Sequence, residues 1–360
     1  MIFSKKLITW YLHNKRDMPW RQTTNPYHIW LSEIILQQTR VAQGLPYYNA
    51  FIEAFPEVSD LANASEEEVL KLWQGLGYYS RARNLHFSAK YIVNDLEGVF
   101  PDTYKELIKL KGVGDYTASA IASICYNEPT PVVDGNVYRV LSRYFGVDTP
   151  INSTKGIREF KELAITLMDH DQPAEYNQAI MEFGALQCKP QNPYCIVCPL
   201  QDSCQALKNS SINRLPVKLK KQKIKKRYFN YLVFYVKGEY TVIQQRVHSG
   251  IWQGLYEFPL IESEKIKVDD IRSHAILKEL INEEDDHFDI TLYQEEPIVH
   301  KLSHQHLYTK FYIITAKVLP YIKETQKLIS DKNIKKYPVP ILLGNFIDSF
   351  FDKKLVSKRT

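Results

Sequence analysis

Four of the five cysteines, Cys188, Cys195, Cys198 and Cys204, fall within seventeen residues, in the spacing C-x6-C-x2-C-x5-C. Thiols crowded in this way are not a distributed disulfide framework. They imply a metal centre that draws the loop around itself. Ligand type alone allows zinc, and the spacing by itself does not decide zinc against an iron–sulfur cluster. Cys125 stands apart on an Ala/Ile-rich segment and reads as a small core residue.

The chain of 360 residues is long enough for two domains, each with its own core. Its formal charge of +5 is local. Seven of the ten residues from Lys218 to Arg227 are Lys or Arg, and removing them leaves 39 basic against 41 acidic residues. The position of that run therefore says more than the net charge. The composition is that of a soluble globular protein. Lys5 and Lys6 precede only a short apolar stretch, broken by His13, Asn14 and Lys15, which does not read as a signal peptide. No apolar run approaches membrane-spanning length. A reducing, intracellular setting is the expectation.

The character of the chain changes near residue 228. Before it, helical periodicity prevails: an amphipathic helix in residues 1–20, a second from Asn25-Pro26 to about Thr39, a pair in 50–73 and two more in 154–187. After it, Tyr228 to Val236 and Tyr240 to Val247 read as strands joined by Lys237-Gly238-Glu239. The expected domains are 1–210 and 228–360, with 211–227 as a basic linker.

Within the helical part, Leu110 to Asp134 draws attention. Thr103 and Glu106 fit a capping box for a short helix. Gly112 and Gly114 break it into a tight hairpin with left-handed backbone. A second helix follows from about Tyr116 to Cys125. Backbone N–H groups at such a helix start suit a phosphate, so this helix–hairpin–helix can grip one DNA strand. Asp134 ends an apolar run, and Glu33 points with Ile29, Trp30 and Leu36 on an apolar helix face. A carboxyl desolvated there has a raised pKa and suits a general acid. In Gly75-Leu76-Gly77-Tyr78-Tyr79-Ser80-Arg81-Ala82-Arg83, aromatics and arginines fit a loop that wedges into a duplex and holds phosphates.

Together these stretches resemble the helix–hairpin–helix DNA glycosylase superfamily, and within it the MutY-type adenine glycosylases. The resemblance is strongest over residues 17–205 and weaker over 228–350. It implies an all-α helix–hairpin–helix domain with a [4Fe–4S] cluster on Cys188, Cys195, Cys198 and Cys204, with Pro193 and Pro199 at its turns. It implies an α/β Nudix-like domain behind it. The metal-binding signature of active Nudix enzymes is missing from Arg272 to Glu284, so no pyrophosphohydrolase activity is expected. On the matching positions, Glu33 is the acid that protonates adenine, and Asp134 is the ionised carboxylate that stabilises the sugar cation. Tyr116 and Asn136 surround them, and Tyr116 is expected to bond to Asp134. Trp20, Arg21 and Leu36 are expected in the walls of the adenine pocket. Gly112, Gly114, Gln38, Tyr78, Arg81 and Arg83 are expected at DNA, with Tyr78 intercalating and Gln38 filling the gap in the stack. Leu302, Ser303 and His304 match a loop that recognises 8-oxoguanine, although Leu302 replaces the family's usual Phe.

The implied partner is double-stranded DNA with an 8-oxoguanine:adenine pair, met by a monomer. Bifunctional members of the superfamily carry a lysine two residues after the second hairpin glycine, where this chain has Tyr116. Base release without strand cleavage is expected. Three alternatives stand beside this reading: an endonuclease III-like glycosylase/lyase, a non-catalytic DNA-binding protein with a structural cluster, and a zinc ribbon.

Overall fold

The structure is a computed structural model and describes residues 2–220, 224–281 and 288–357. It divides into two compact units. The first takes Met1–Asn63 and Asn84–Lys221, and the second takes Ala64–Arg83 and Gln222–Thr360. This differs from the contiguous 1–210 and 228–360 expected above. The reason lies in specific bonds. The Tyr256 hydroxyl donates to Glu67 at 3.0 Å, Lys71 Nζ to the Tyr337 carbonyl at 3.3 Å, and Arg83 Nη1 to the Gln253 carbonyl at 2.6 Å. Residues 64–83 include the helix Glu66–Leu72, as expected, but group with the sheet.

The first unit is helical. The helix Pro26–Leu36 starts at Asn25, whose side chain accepts from the Tyr27 amide, with Pro26 in the first turn. Its residues from Ile29 to Ile35 are all buried, as befits a helix apolar on every side. The helix Ile2–Asn14 buries Phe3, Leu7 and Tyr11 in a core with Val137, Leu141, Phe160, Ile180 and Phe183. Thr103 does cap the short helix Tyr104–Leu107, but through no side-chain bond, so the expected capping box is not formed. The hairpin helix runs Asp115–Tyr126, and Gly135–Phe145, Thr154–Leu167 and Pro173–Leu186 follow.

The expected linker is not free at its ends. The Ile151 amide donates to the Val217 carbonyl at 3.0 Å, and Asn152 bonds to both the amide and the carbonyl of Leu219. Lys225 already belongs to the first strand. Lys221, Gln222 and Lys223 lie outside the described residues.

The second unit is a mixed sheet with strands β1 (Lys225–Val236), β2 (Tyr240–Gln245), β3 (Tyr256–Glu257), β4 (Leu260–Glu262), β5 (Phe288–Leu292), β6 (Ile298–Lys301), β7 (Gln305–Ala316) and β8 (Gln326–Ser330). The main order is β3-β2-β1-β7-β5. Strands β1 and β2 form the expected hairpin, with Lys237 and Gly238 both in the left-handed region. Strand β1 runs parallel to β7 over its whole length, from Lys225 opposite Gln305 to Val236 opposite Ala316. From Phe229 on, β1 is buried on both faces. Leu232, Phe234 and Val236 pack toward the helices Val268–Arg272 and Ala275–Leu280. Tyr235 packs against Phe350 of the helix Ile341–Ser357, and Phe346 of that helix stacks on Phe311 at 3.8 Å. Asn282, Glu283 and Glu284, within the stretch searched for the Nudix signature, lie outside the described residues.

One ion pair is buried in this unit. Arg246 Nη1 lies 2.6 Å from Glu257 Oε2, and the Tyr231 hydroxyl donates to the same oxygen at 3.0 Å. Burial raises the Glu257 pKa, and Arg246 opposes it. Arg246→Met leaves that carboxylate without its counter-charge and is expected to destabilise the unit by about 3–5 kcal/mol. Urea melts followed by tryptophan fluorescence measure this, and a loss below about 1 kcal/mol would contradict it.

Candidate active site

A cavity of about 190 Å³ opens within the helical unit. Glu33, Asp134, Tyr116, Asn136, Trp20, Arg21 and Leu36 all line it. The sequence separates these residues by more than a hundred positions, and the helices bring them to one place.

Glu33 sits on the buried helix Pro26–Leu36 and is 8% exposed. Burial pushes its pKa up to about 7. The charge of Asp134 adds to that rise, while a hydrogen bond from Tyr116 and the charge of Arg21 act against it. Asp134 is the N-cap of Gly135–Phe145. Its Oδ1 accepts from the amides of Asn136 at 2.9 Å and Val137 at 2.8 Å, and its Oδ2 accepts from Asn136 Nδ2 at 2.8 Å. The cap alone explains an Asp here. It does not explain why the carboxylate opens onto the same cavity as Glu33. Burial raises the Asp134 pKa, and the three N–H donors and Arg139 pull it back. The Tyr116 hydroxyl lies 3.1 Å from Met181 Sδ and within hydrogen-bonding reach of Glu33. The expected bond from Tyr116 to Asp134 is therefore corrected: the hydroxyl serves the other carboxylate.

Sequence reading missed Glu182 and Arg16. Glu182 is 1% exposed on the helix Pro173–Leu186 and faces the cavity. Arg16 grips it from Nε at 2.8 Å and Nη2 at 2.6 Å, and Arg21 from Nη1 at 3.1 Å and Nη2 at 2.9 Å. Burial alone would raise its pKa, but these bonds hold it down at about 2. Arg21 is thus less a free wall than one half of a fixed ion pair. The available signal was the same as for Glu33: a carboxylate inside the apolar run Ile180-Met181-Glu182-Phe183.

At the hairpin only one of the two glycines has left-handed backbone. Gly112 has φ +85°, and a Cβ there would lie 2.7 Å from Asn84 Cβ. Gly114 has φ −96° and caps Asp115–Tyr126, with open space where its Cβ would be. Gln38 is exposed just past its helix, at φ 55°.

All four clustered cysteines line one small apolar cavity with Val140, Phe183 and Leu200, and none forms a disulfide. Backbone amides point at the sulfurs, from Leu200 to Cys198 and from Ala206 and Leu207 to Cys204. Among the described residues, no three His, Cys, Asp or Glu side chains converge as ligands of a single metal ion.

The second unit has its own cavity, of about 440 Å³, lined by Tyr78, Arg83, Trp252, Leu302, Ser303 and His304, among others. Tyr78 is 46% exposed at φ 48°, and Trp252 has φ 61°. Large aromatics rarely adopt that backbone, and two of them face one cavity. Ser303 and His304 form the tip of the β6–β7 turn, closed by the Leu302 amide on the Gln305 carbonyl at 2.8 Å. The two arginines expected at DNA are placed otherwise. Arg81 is buried, bonds to the Gly77 carbonyl at 3.0 Å and stacks over Trp73 and Tyr78. Arg83 holds the Gln253 carbonyl. Both shape their loop from within, because carbonyls of their own unit compete for the guanidinium donors.

The Glu33 environment gives a pH test. Below about pH 4.5 Glu33 is neutral in the folded and unfolded chain alike. Between about 4.5 and about 7 the unfolded chain ionises while the folded one keeps its proton, so stability falls as pH rises and levels off above 7. Glu33→Gln removes this slope and is expected to gain on the order of 3 kcal/mol on the parent between pH 5 and pH 8. Urea midpoints of the two proteins at both pH values measure it. Parallel pH dependences would show that Glu33 does not titrate in this way.

Residues 31–164 match the HhH-GPD superfamily base excision DNA repair protein family, and residues 230–349 match the NUDIX domain. The chain is 35% identical over 321 residues to an adenine DNA glycosylase of Buchnera aphidicola subsp. Baizongia pistaciae, covering 88% of each chain. It is 45% identical over 213 residues to that of Mus musculus, covering 57% of this chain and 41% of the mouse protein. Among solved structures, it is similar to a thermostable thymine-DNA glycosylase, at TM-score 0.54 and 30% identity, over 58% of this chain and 96% of that one. A non-covalent endonuclease III–DNA complex shares the fold, at TM-score 0.51 and 21% identity, over 58% of this chain and 95% of that one. A relationship that runs through 88% of both chains takes in the two-carboxylate cavity and the sheet alike: the chain belongs to the adenine DNA glycosylase family, and is an enzyme of base excision DNA repair.

Proposed function

We propose that this enzyme hydrolyses the N-glycosidic bond of adenine paired with 8-oxoguanine, or with guanine, in double-stranded DNA, and leaves the strand uncut. The observation that carries the chemistry is the pair of carboxylates in one cavity in opposite settings. Adenine leaves poorly as an anion, and the sugar left behind becomes cationic. Glu33, with a pKa of about 7, still holds a proton near neutral pH and can donate it to N7 of the base. Asp134 is also raised by burial, but it alone of the two accepts three N–H bonds at a helix start, so it is the one that ionises first. It then faces the sugar cation. The base must leave the helix to reach them. Trp20 and Leu36 offer apolar walls, and the Glu182–Arg16–Arg21 cluster offers a rigid polar one.

Strand cleavage by this superfamily's lyases requires a lysine amine. None of the described residues lining the cavity is a lysine, and Tyr116 holds the matching position. This favours a monofunctional glycosylase over the endonuclease III-like reading. The non-catalytic reading leaves the shared cavity of Glu33 and Asp134 without a purpose.

The second cavity supports a lesion-reading role. Tyr78 and the Leu302–Ser303–His304 turn, more than two hundred residues apart, face the same space. An exposed tyrosine in strained backbone suits a wedge, and Ser303 offers a hydroxyl to a base edge. Gly112, Gly114 and Gln38 supply backbone donors and a filler side chain for the duplex. The enzyme acts as a monomer in a reducing, intracellular setting, which suits its undisulfided thiols.

Cys188, Cys195, Cys198 and Cys204 are the residues that would hold a [4Fe–4S] cluster: all four surround one small cavity, and amides point at two of the sulfurs. When bound, the cluster supplies loop closure and no part of the hydrolysis. Purified protein is expected to be brown, with about four irons per chain and no stoichiometric zinc. One zinc per colourless chain would reverse this.

The function is tested by single-turnover release from duplexes with adenine opposite 8-oxoguanine, guanine or thymine, with and without alkali. Release opposite 8-oxoguanine, slower opposite guanine, with breaks only after alkali, is expected. Breaks without alkali would sink the monofunctional reading. No release from any duplex by folded, cluster-bearing protein would favour the binding protein.

A further inference from the structure

Residues 127–134, between the helices Asp115–Tyr126 and Gly135–Phe145, form neither helix nor strand, and Asp134 is the last of them. Its cap bonds to Asn136 and Val137 anchor Asp134 on the helix side, and the segment anchors it on the other. One fully buried side chain bonds the segment at two places. Asn177, on the helix Pro173–Leu186, is fully buried. Its Oδ1 accepts from the Val132 amide at 3.1 Å. Its Nδ2 donates to the Thr130 carbonyl at 2.8 Å and to Ser123 Oγ, on the hairpin helix, at 2.9 Å. The amide thus uses its acceptor and both donors. The bonds to Thr130 and Val132 are those a neighbouring strand would make to an extended segment. A single side chain stands in for that strand.

Seven residues on, two turns along the same helix face, Gly184 meets the chain on the other side of Asp134. A Cβ at Gly184 would lie 2.6 Å from Asn136 Cβ and 2.9 Å from the Asn136 carbonyl oxygen. Asn136 in turn donates to Asp134 Oδ2. One helix face therefore positions the backbone before and after the carboxylate.

We propose that Asn177 is a positioning residue for the glycosylase reaction, fixing the reach of Asp134 into the cavity through Thr130 and Val132. The inference rests on the reading of Asp134 as the carboxylate that faces the sugar cation. Asn177 does not itself line the cavity. Without it the segment keeps other ties, among them Lys161 Nζ on the Pro131 carbonyl at 3.0 Å and Thr130 Oγ1 on the Ser119 carbonyl at 3.3 Å, but, among the described residues, none to Val132 from the helix Pro173–Leu186. A displacement of about 1 Å at a reacting group costs about 100-fold in rate.

The test uses the full chain with its cluster, in four variants: Asn177→Leu, Asn177→Asp, Asp134→Asn, and the double Asp134→Asn/Asn177→Leu. Single-turnover adenine release and duplex affinity are measured on each, below its melting temperature. Asn177→Leu is expected to slow release by about 30- to 100-fold with affinity changed less than about threefold. Asn177→Asp keeps the acceptor for Val132 and is expected to fall between the two. In the Asp134→Asn background Asn177→Leu is expected to cost nothing further, because a residue acting through Asp134 has nothing left to position. A general loosening of the fold would multiply the two losses instead and overturn the proposal. So would an Asn177→Leu rate within about threefold of the parent. Should Asn177→Leu fail to fold, Asn177→Asp carries the same comparison. Near-parent release by Asp134→Asn would instead overturn the Asp134 reading, and the proposal with it.

Discussion

The N-terminus of the helix Gly135–Phe145 is the fixed point of the catalytic unit. Asp134 caps it with one oxygen on two backbone amides and the other on Asn136. A helix end satisfied in this way cannot shift without losing several bonds at once. The other groups of the cavity are placed relative to it. Glu33 arrives on a helix buried on every side, so its carboxyl is dry. Tyr116 arrives on the hairpin helix and bonds to that acid. Burial raises both carboxyls, Glu33 to about 7, and the three N–H donors at the helix start pull Asp134 back.

The helix Pro173–Leu186 does more for the site than its sequence suggests. It carries Glu182, neutralised by two arginines, Met181 against Tyr116, Asn177 under the segment before Asp134, and Gly184 against Asn136. It also buries Ile180 and Phe183 in the core of its unit. The same helix thus builds the core and lines the cavity, which ties the geometry of the cavity to the packing of the whole unit.

The sheet unit rests on a different constraint. Strand β1 is covered on both faces from Phe229 on and paired with β7 along its full length. Residues 64–83 join this unit through polar bonds at Glu67, Lys71 and Arg83. Arg81 and Arg83 look like surface cations in the sequence, yet both are engaged with carbonyls of their own unit. A guanidinium can serve a phosphate or a backbone carbonyl equally well, and only the fold decides which is near.

The sequence by itself determined the local structure and the chemical inventory. The apolar run around Glu33, the Asp134 that ends another, the Gly112 turn, the cysteine spacing and the Lys237–Gly238 hairpin all act over a few residues, where propensity and periodicity are informative. The tertiary structure alone decided which distant groups meet. That Tyr116 bonds to Glu33 and not to Asp134, that Glu182 faces the same cavity, and that residues 64–83 leave the helical unit for the sheet are outcomes of long-range packing. So is the meeting of Tyr78 with Leu302. Such contacts depend on where whole helices and strands come to rest, and that is set by the burial of many side chains together, not by any one stretch of chain.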